Sequence, residues 1–120
     1  MSVTDDFLPG GELAAEISTT VVRVLARYAG RGPTKARTYR GPDVVAVVLE
    51  EALTQGEQTL VDHGRPELAR DARHALQGAA RDDLVAEIER LMCRKVRAYL
   101  SAAEVQPDVA VLTFLLEPEA

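Results

Sequence analysis

The residues with the strongest claim to chemistry are six cations crowded into a stretch without a carboxylate. Between Ile17 and Pro42 there is no Asp or Glu, yet Arg23, Arg27, Arg31, Lys35, Arg37 and Arg40 all fall there. Within it, Gly30-Arg31-Gly32-Pro33-Thr34-Lys35-Ala36-Arg37 offers small residues, backbone N–H groups and three positive side chains. These are the ingredients of a cradle for phosphate or carboxylate. The candidate anion-binding set is Arg31, Gly32, Thr34, Lys35 and Arg37, with Arg73 as a helper from a later helix. The spacing matches no established phosphate motif. A Walker loop requires Gly-Lys-Ser or Gly-Lys-Thr after a strand, and the dinucleotide fingerprint requires a third Gly or Ala where Lys35 stands. The plainer account is a loop whose glycines cap a helix and whose cations are solvated or paired with acidic neighbours.

Other groups that could do chemistry are scattered. Arg70, Arg73, His74, Gln77 and Arg81 recur at helical spacing, but Glu67, Asp71, Asp82, Asp83 and Glu87 flank them. A charged solvent face with i,i+4 pairing is the expectation there; convergence of this stripe with the Gly30 loop would favour the anion site. His63 and His74 are the only histidines, without metal-ligand spacing, so neither a metal nor another cofactor is expected. Cys93, the only cysteine, stands near a helix C-terminus and reads as a semi-buried, inert thiol. Ser2, Ser18 and Ser101 lack a nucleophile-elbow context. Glu50 and Glu51 are adjacent, so in a strand they would point to opposite faces and share no proton. No catalytic residue can be assigned, and the chain reads as non-enzymatic.

The scaffold behind these residues is small. One hundred and twenty residues suffice for one domain with a core of its own, assigned to 11–120, after a flexible lead-in over 1–10 that carries Asp5, Asp6, Pro9 and Gly10. Hydrophobic residues at 47% and charged residues at 28% are globular proportions. Aromatic residues at 4%, with no Trp, leave few rings for base stacking. The net charge is -5; outside the six clustered cations, the remaining Lys and Arg are outnumbered by nineteen acidic residues, which disfavours binding to nucleic acid on electrostatic grounds. One cysteine, no Asn and an acidic N-terminus place the chain in a reducing, cytoplasmic setting. The longest apolar run, Val44 to Leu49, falls far short of the roughly 20 residues of a membrane span, so no membrane insertion is expected.

Periodicity gives the elements. Leu13, Ile17, Val21, Val24 and Tyr28 recur at threes and fours, one apolar face of a helix that Gly30 terminates. Ala36–Arg40 and Val44–Glu50 form a hairpin about Gly41-Pro42-Asp43; Val44 to Leu49 is apolar at successive positions, which predicts a central strand covered on both faces. Thr54 and Glu57 make a capping box for a short helix ending near His63. Pro66 opens a long helix to Met92 through Leu68, Ala72, Leu76, Ala79, Leu84, Ile88 and Leu91, with Gly78 as its point of kinking or division. Lys95–Leu100 alternates as a strand, and a loop through Pro107 leads to Val109–Leu116, apolar on both faces. The fold class is α+β: N-terminal helix, hairpin, two helices and hairpin, giving a four-stranded, largely antiparallel sheet packed by helices.

Four segments carry a family resemblance: Gly10-Gly11-Glu12-Leu13-Ala14-Ala15-Glu16-Ile17-Ser18, GRGPTKARTY from Gly30 to Tyr39, Leu49 to Leu60 with its LT..E..L pattern, and PDVAVLTFLLEP from Pro107 to Pro118. Together they resemble the MpsC-like family, named for a component of a sodium-translocating, membrane-potential-generating system in bacteria. The resemblance spans nearly the whole chain and implies an accessory or regulatory protein of a membrane system rather than the conducting element. It supplies no catalytic residue. Two expectations result: a partner-binding accessory or regulatory protein, acting as a homodimer, or an anion- or nucleotide-sensing module built on the basic loop, with nucleic-acid binding as its weaker variant.

Overall fold

The computed structural model describes residues 11–119. The elements are α1 (Glu12–Ala29), β1 (Lys35–Gly41), β2 (Val44–Glu50), α2 (Gln55–Asp62), α3 (Pro66–Ala79), α4 (Arg81–Met92), β3 (Val96–Val105) and β4 (Asp108–Leu116). The strands form one antiparallel sheet in the order β1-β2-β4-β3. This is the expected α+β arrangement, with the two apolar strands β2 and β4 at its centre.

The core lies on one side of the sheet. Val45, Val47 and Leu49 from β2 and Ala110, Leu112, Phe114 and Leu116 from β4 meet Ile17, Val21, Val24 and Leu25 of α1 and Leu84 and Ile88 of α4. The α1 stripe buries as its three-and-four spacing requires, and Gly30, at φ 84°, closes the helix in the left-handed conformation that glycine takes without a Cβ penalty. Its Tyr28 hydroxyl reaches across to Asp83 of α4 at 2.6 Å. A smaller cluster of Leu53, Val61, Ala69 and Val105 lies under α2. Thr54 and Glu57 form the reciprocal capping box.

Four expectations need correction. The long helix divides at Ala80, not at Gly78, which stays helical inside α3. Asp82 and Asp83 in the first turn of α4 favour a fresh helix start, since carboxylates are stabilised at a helix N-terminus. Strand β3 runs five residues past Leu100, because pairing with β4 from Ser101↔Leu112 to Val105↔Asp108 holds residues of low intrinsic strand preference in the ladder. Cys93 is exposed rather than semi-buried, at φ 55° as the capping residue of α4. Finally, β2 is central but not covered twice: Val45, Val47 and Leu49 are buried, while Val44, Ala46 and Val48 on its other face are only half-buried. The expected flexible lead-in, residues 1–10, lies outside the described residues.

Candidate functional site

The basic loop is held tightly against α1. A Cβ on Gly32 would stand 2.8 Å from Val22 Cγ1 and 2.9 Å from the Val22 carbonyl oxygen, so only glycine lets the loop pass this close. Pro33 is buried beside it, and Thr34 and Lys35 emerge at the start of β1. Opposite them is Glu51, the residue after β2, at φ 56°. Thr34 donates through Oγ1 to Glu51 Oε2 at 2.5 Å, Lys35 Nζ lies 3.3 Å from Oε1, and Arg31 donates to the Glu51 carbonyl at 3.2 Å. The hydrogen bonds from Thr34 and Lys35 hold the Glu51 carboxyl below its usual range. Thr34, Lys35 and Arg31 therefore all converge on Glu51, a partner that adjacency to Glu50 did not reveal. Arg37 stands apart. With Thr34, Lys35, Tyr39, Val48 and Glu50 it borders a shallow depression of about 300 Å³ on the side of the sheet away from the helices.

Arg73 does not sit on a solvent stripe. The buried face of α3 is Ala69, Arg73 and Gln77, roughly one residue round from the expected Leu68, Ala72, Leu76 and Ala79, and Leu68 is 39% exposed. The Arg73 guanidinium bonds Asp108 Oδ1 at 2.8 Å, while Asp108 Oδ2 accepts from the Leu53 N–H at 2.9 Å. Burial pushes the Asp108 carboxyl up, but hydrogen bonds from Leu53, Arg73 and Ala52 outweigh it and hold the group below its ordinary value. Arg31 and Arg73 do border one cleft, of about 30 Å³, together with Glu57 and Gln77. Glu57 Oε2, Arg73 Nε and Gln77 Oε1 there have no hydrogen-bond partner among the described residues, and the volume accommodates water. Nearby, burial pushes the Tyr99 hydroxyl up to about 12; it donates to the Gln77 carbonyl at 3.2 Å. Loop and helix thus converge on one cleft with Glu57 in its lining, while the carboxylate that pairs with Arg73 is Asp108. The spacing Ala69-Arg73-Gln77-Ala80 was the available signal for this buried face.

The most extensive unassigned feature is the sheet face that no described helix covers. The register sets it out in four rows across β1, β2, β4 and β3: Lys35, Glu50, Val109, Glu104; Arg37, Val48, Val111, Ala102; Tyr39, Ala46, Thr113, Leu100; and Gly41, Val44, Leu115, Ala98. The first row is charged. The other three are apolar across their three columns from β2 to β3, except for the Thr113 hydroxyl. Leu100, at the β3 edge, is 58% exposed. Contiguous apolar surface of this kind marks contact sites rather than ordinary solvent-facing surface. Among the described residues, no group of three His, Cys, Asp or Glu side chains is arranged to hold a metal ion. No helix of the described residues is long and apolar enough to cross a membrane.

No curated protein and no solved structure matches the chain. A family model does, over residues 10–118, nearly the whole length; its description is Na+-translocating membrane potential-generating system (MpsC).

Proposed function

The chain belongs to the MpsC family, which links it to a Na+-translocating membrane potential-generating system, and from that premise we propose that it is a non-enzymatic, cytoplasmic accessory or regulatory protein. It acts by binding protein partners, and does so as a homodimer. The observation that supports this reading is the helix-free sheet face, whose apolar rows are framed by charge at one end. Such an arrangement has the make-up of a protein contact, apolar at its centre and polar at its rim. The test is capture from native cells with the full chain as bait. Recovery of a membrane-system or regulatory protein is the expected result. Recovery of no such protein counts against the reading.

A second reading keeps the basic loop as an anion or nucleotide sensor. It is favoured by one observation: Arg37 and Lys35 border the same depression with the Thr34 hydroxyl. An incoming phosphate would have to displace Glu51 from Thr34 and Lys35, so Glu51→Gln should strengthen binding and Lys35→Ala with Arg37→Ala should abolish it. Thermal stabilisation by millimolar phosphate or nucleotide measures this, because a ligand of the native state raises its apparent stability. No stabilisation of either the wild type or Glu51→Gln removes the reading.

A further inference from the structure

We propose that the occupant of the open sheet face is a second copy of this chain, packed face to face about a two-fold axis that runs parallel to the strands. This deepens the partner-binding reading and rests on it, by naming the surface and the symmetry through which the chain pairs.

Area makes the pairing feasible. Four strands spaced about 4.8 Å apart, with outward positions about 6.8 Å apart along each, give a face of roughly 20 × 27 Å. Burying two such faces removes on the order of 1,000–1,400 Å² of surface, the lower part of the range for stable protein interfaces. Sheets with this right-handed twist stack about 10 Å apart with their strands nearly aligned, so the rows of one face interdigitate with those of the other.

Charge chooses the axis. An axis along the strands reverses the order of the columns and keeps the rows in register. The β1 edge of one copy then lies over the β3 edge of the other, so Lys35, with Arg37 behind it, faces the partner's Glu104, and the contact occurs twice by symmetry. The central columns β2 and β4 lie over each other, bringing Val44, Ala46 and Val48 against Leu115, Thr113 and Val111. An axis across the strands does the opposite: it lays the charged first row over the apolar fourth, with Glu50 against Val44 and Glu104 against Ala98. Glu50 meets an apolar residue about either axis, Val109 about the first, but only the second also desolvates Glu104 with no cation opposite, which is costly. Lys35 and Glu104 are available to pair across the dimer, since among the described residues each makes an exposed, screened contact, Lys35 with Glu51 and Glu104 with Arg70 at 3.4 Å.

Sedimentation velocity on the full chain over a concentration series tests this. The wild type is expected to dimerise, and Val111→Lys, which puts a cation at the centre of both stacked faces, to raise the dissociation constant by at least tenfold while far-UV circular dichroism stays unchanged. Lys35→Glu and Glu104→Lys, each made alone, should each weaken the dimer about 3- to 10-fold, because like charges then face each other twice. Mixing the two single variants should restore the affinity to within about threefold of wild type, since both pairs re-form across the heterodimer. Only contact between copies along this axis predicts that rescue. A monomeric wild type overturns the proposal. A dimer indifferent to Val111→Lys overturns it in favour of pairing through a strand edge, and a dimer that Val111→Lys breaks but mixing does not rescue overturns the axis. These outcomes read self-association alone, whereas capture of a different protein reads the accessory role, so either can fail without the other.

Discussion

Removing the Asp108 carboxylate should cost more than removing the guanidinium it holds, and the reason lies in how the two partners are exposed. The Arg73 side chain is 7% exposed and that of Asp108 23%. Asp108→Ala leaves a buried cation with no counter-charge and strips the Leu53 N–H of its acceptor. Breaking a buried pair from one side costs about 3–5 kcal/mol, and the partial exposure of Asp108 argues for the lower end, about 3 kcal/mol. For a chain of this size that is a fall of about 12 °C in Tm, at about 4 °C per kcal/mol. Arg73→Met keeps the packing of the stem, while the orphaned Asp108 retains the Leu53 N–H and a path to water, so its cost should be about 1–2 kcal/mol. The double variant should cost no more than Asp108→Ala alone, a coupling of about 1–2 kcal/mol. The sign with pH is fixed: a carboxyl lowered in the native state stabilises the fold above its ordinary value of 3.8 and loses that contribution as pH falls through the lower native value. The gap between wild type and Asp108→Ala should therefore be widest near neutrality and narrow as pH falls below 3.8 and through the lower native value. Urea unfolding followed by far-UV circular dichroism measures each quantity, tryptophan fluorescence being excluded by the composition. Equal costs for the two single variants, or a gap that persists at low pH, would refute the reasoning.

Three further outcomes can be measured the same way. Gly32→Ala drives a Cβ onto the Val22 carbonyl, which backbone cannot yield cheaply, and should destabilise the chain by about 1–3 kcal/mol by overpacking; a neutral result would show that the loop is free to lift off α1. Thr54→Ala removes the Oγ1 acceptor of the Glu57 N–H at 3.2 Å and should cost about 1 kcal/mol. Arg94, whose side chain is 11% exposed, donates to the Pro42 carbonyl at 2.7 Å, to Asp43 Oδ1 and to the Glu117 carbonyl, fastening the β1–β2 turn to the chain beyond β4. Arg94→Ala should cost about 2–3 kcal/mol, with the largest rise in hydrogen exchange at Leu116, whose N–H donates to the Asp43 carbonyl.

What could be read from residues alone follows the range of the interactions that decide each element. The stripe of α1, the capping box at Thr54 and the left-handed Gly30 are settled within a few residues, and each stands where the spacing put it. The face of α3 is settled by a carboxylate 35 positions away, since Asp108 at the start of β4 draws Arg73 inward and turns Leu68 out. No local pattern contains that partner, and an arginine among alternating charges resembles a solvated face until its counter-charge is placed. The partner of the basic loop was hidden for the same reason: the acid-free stretch ends at Pro42, but the hairpin folds Glu51 back onto Thr34 and Lys35. The runs in β2 and β4 carry a different lesson. Successive apolar residues encode cover on both faces, and the described helices supply cover for only one. The half-buried rows from Val44 to Leu115 are thus a requirement written into the sequence that the described residues do not meet. The proposed second copy would meet it with the same residues, because an isologous contact asks a surface only to complement itself.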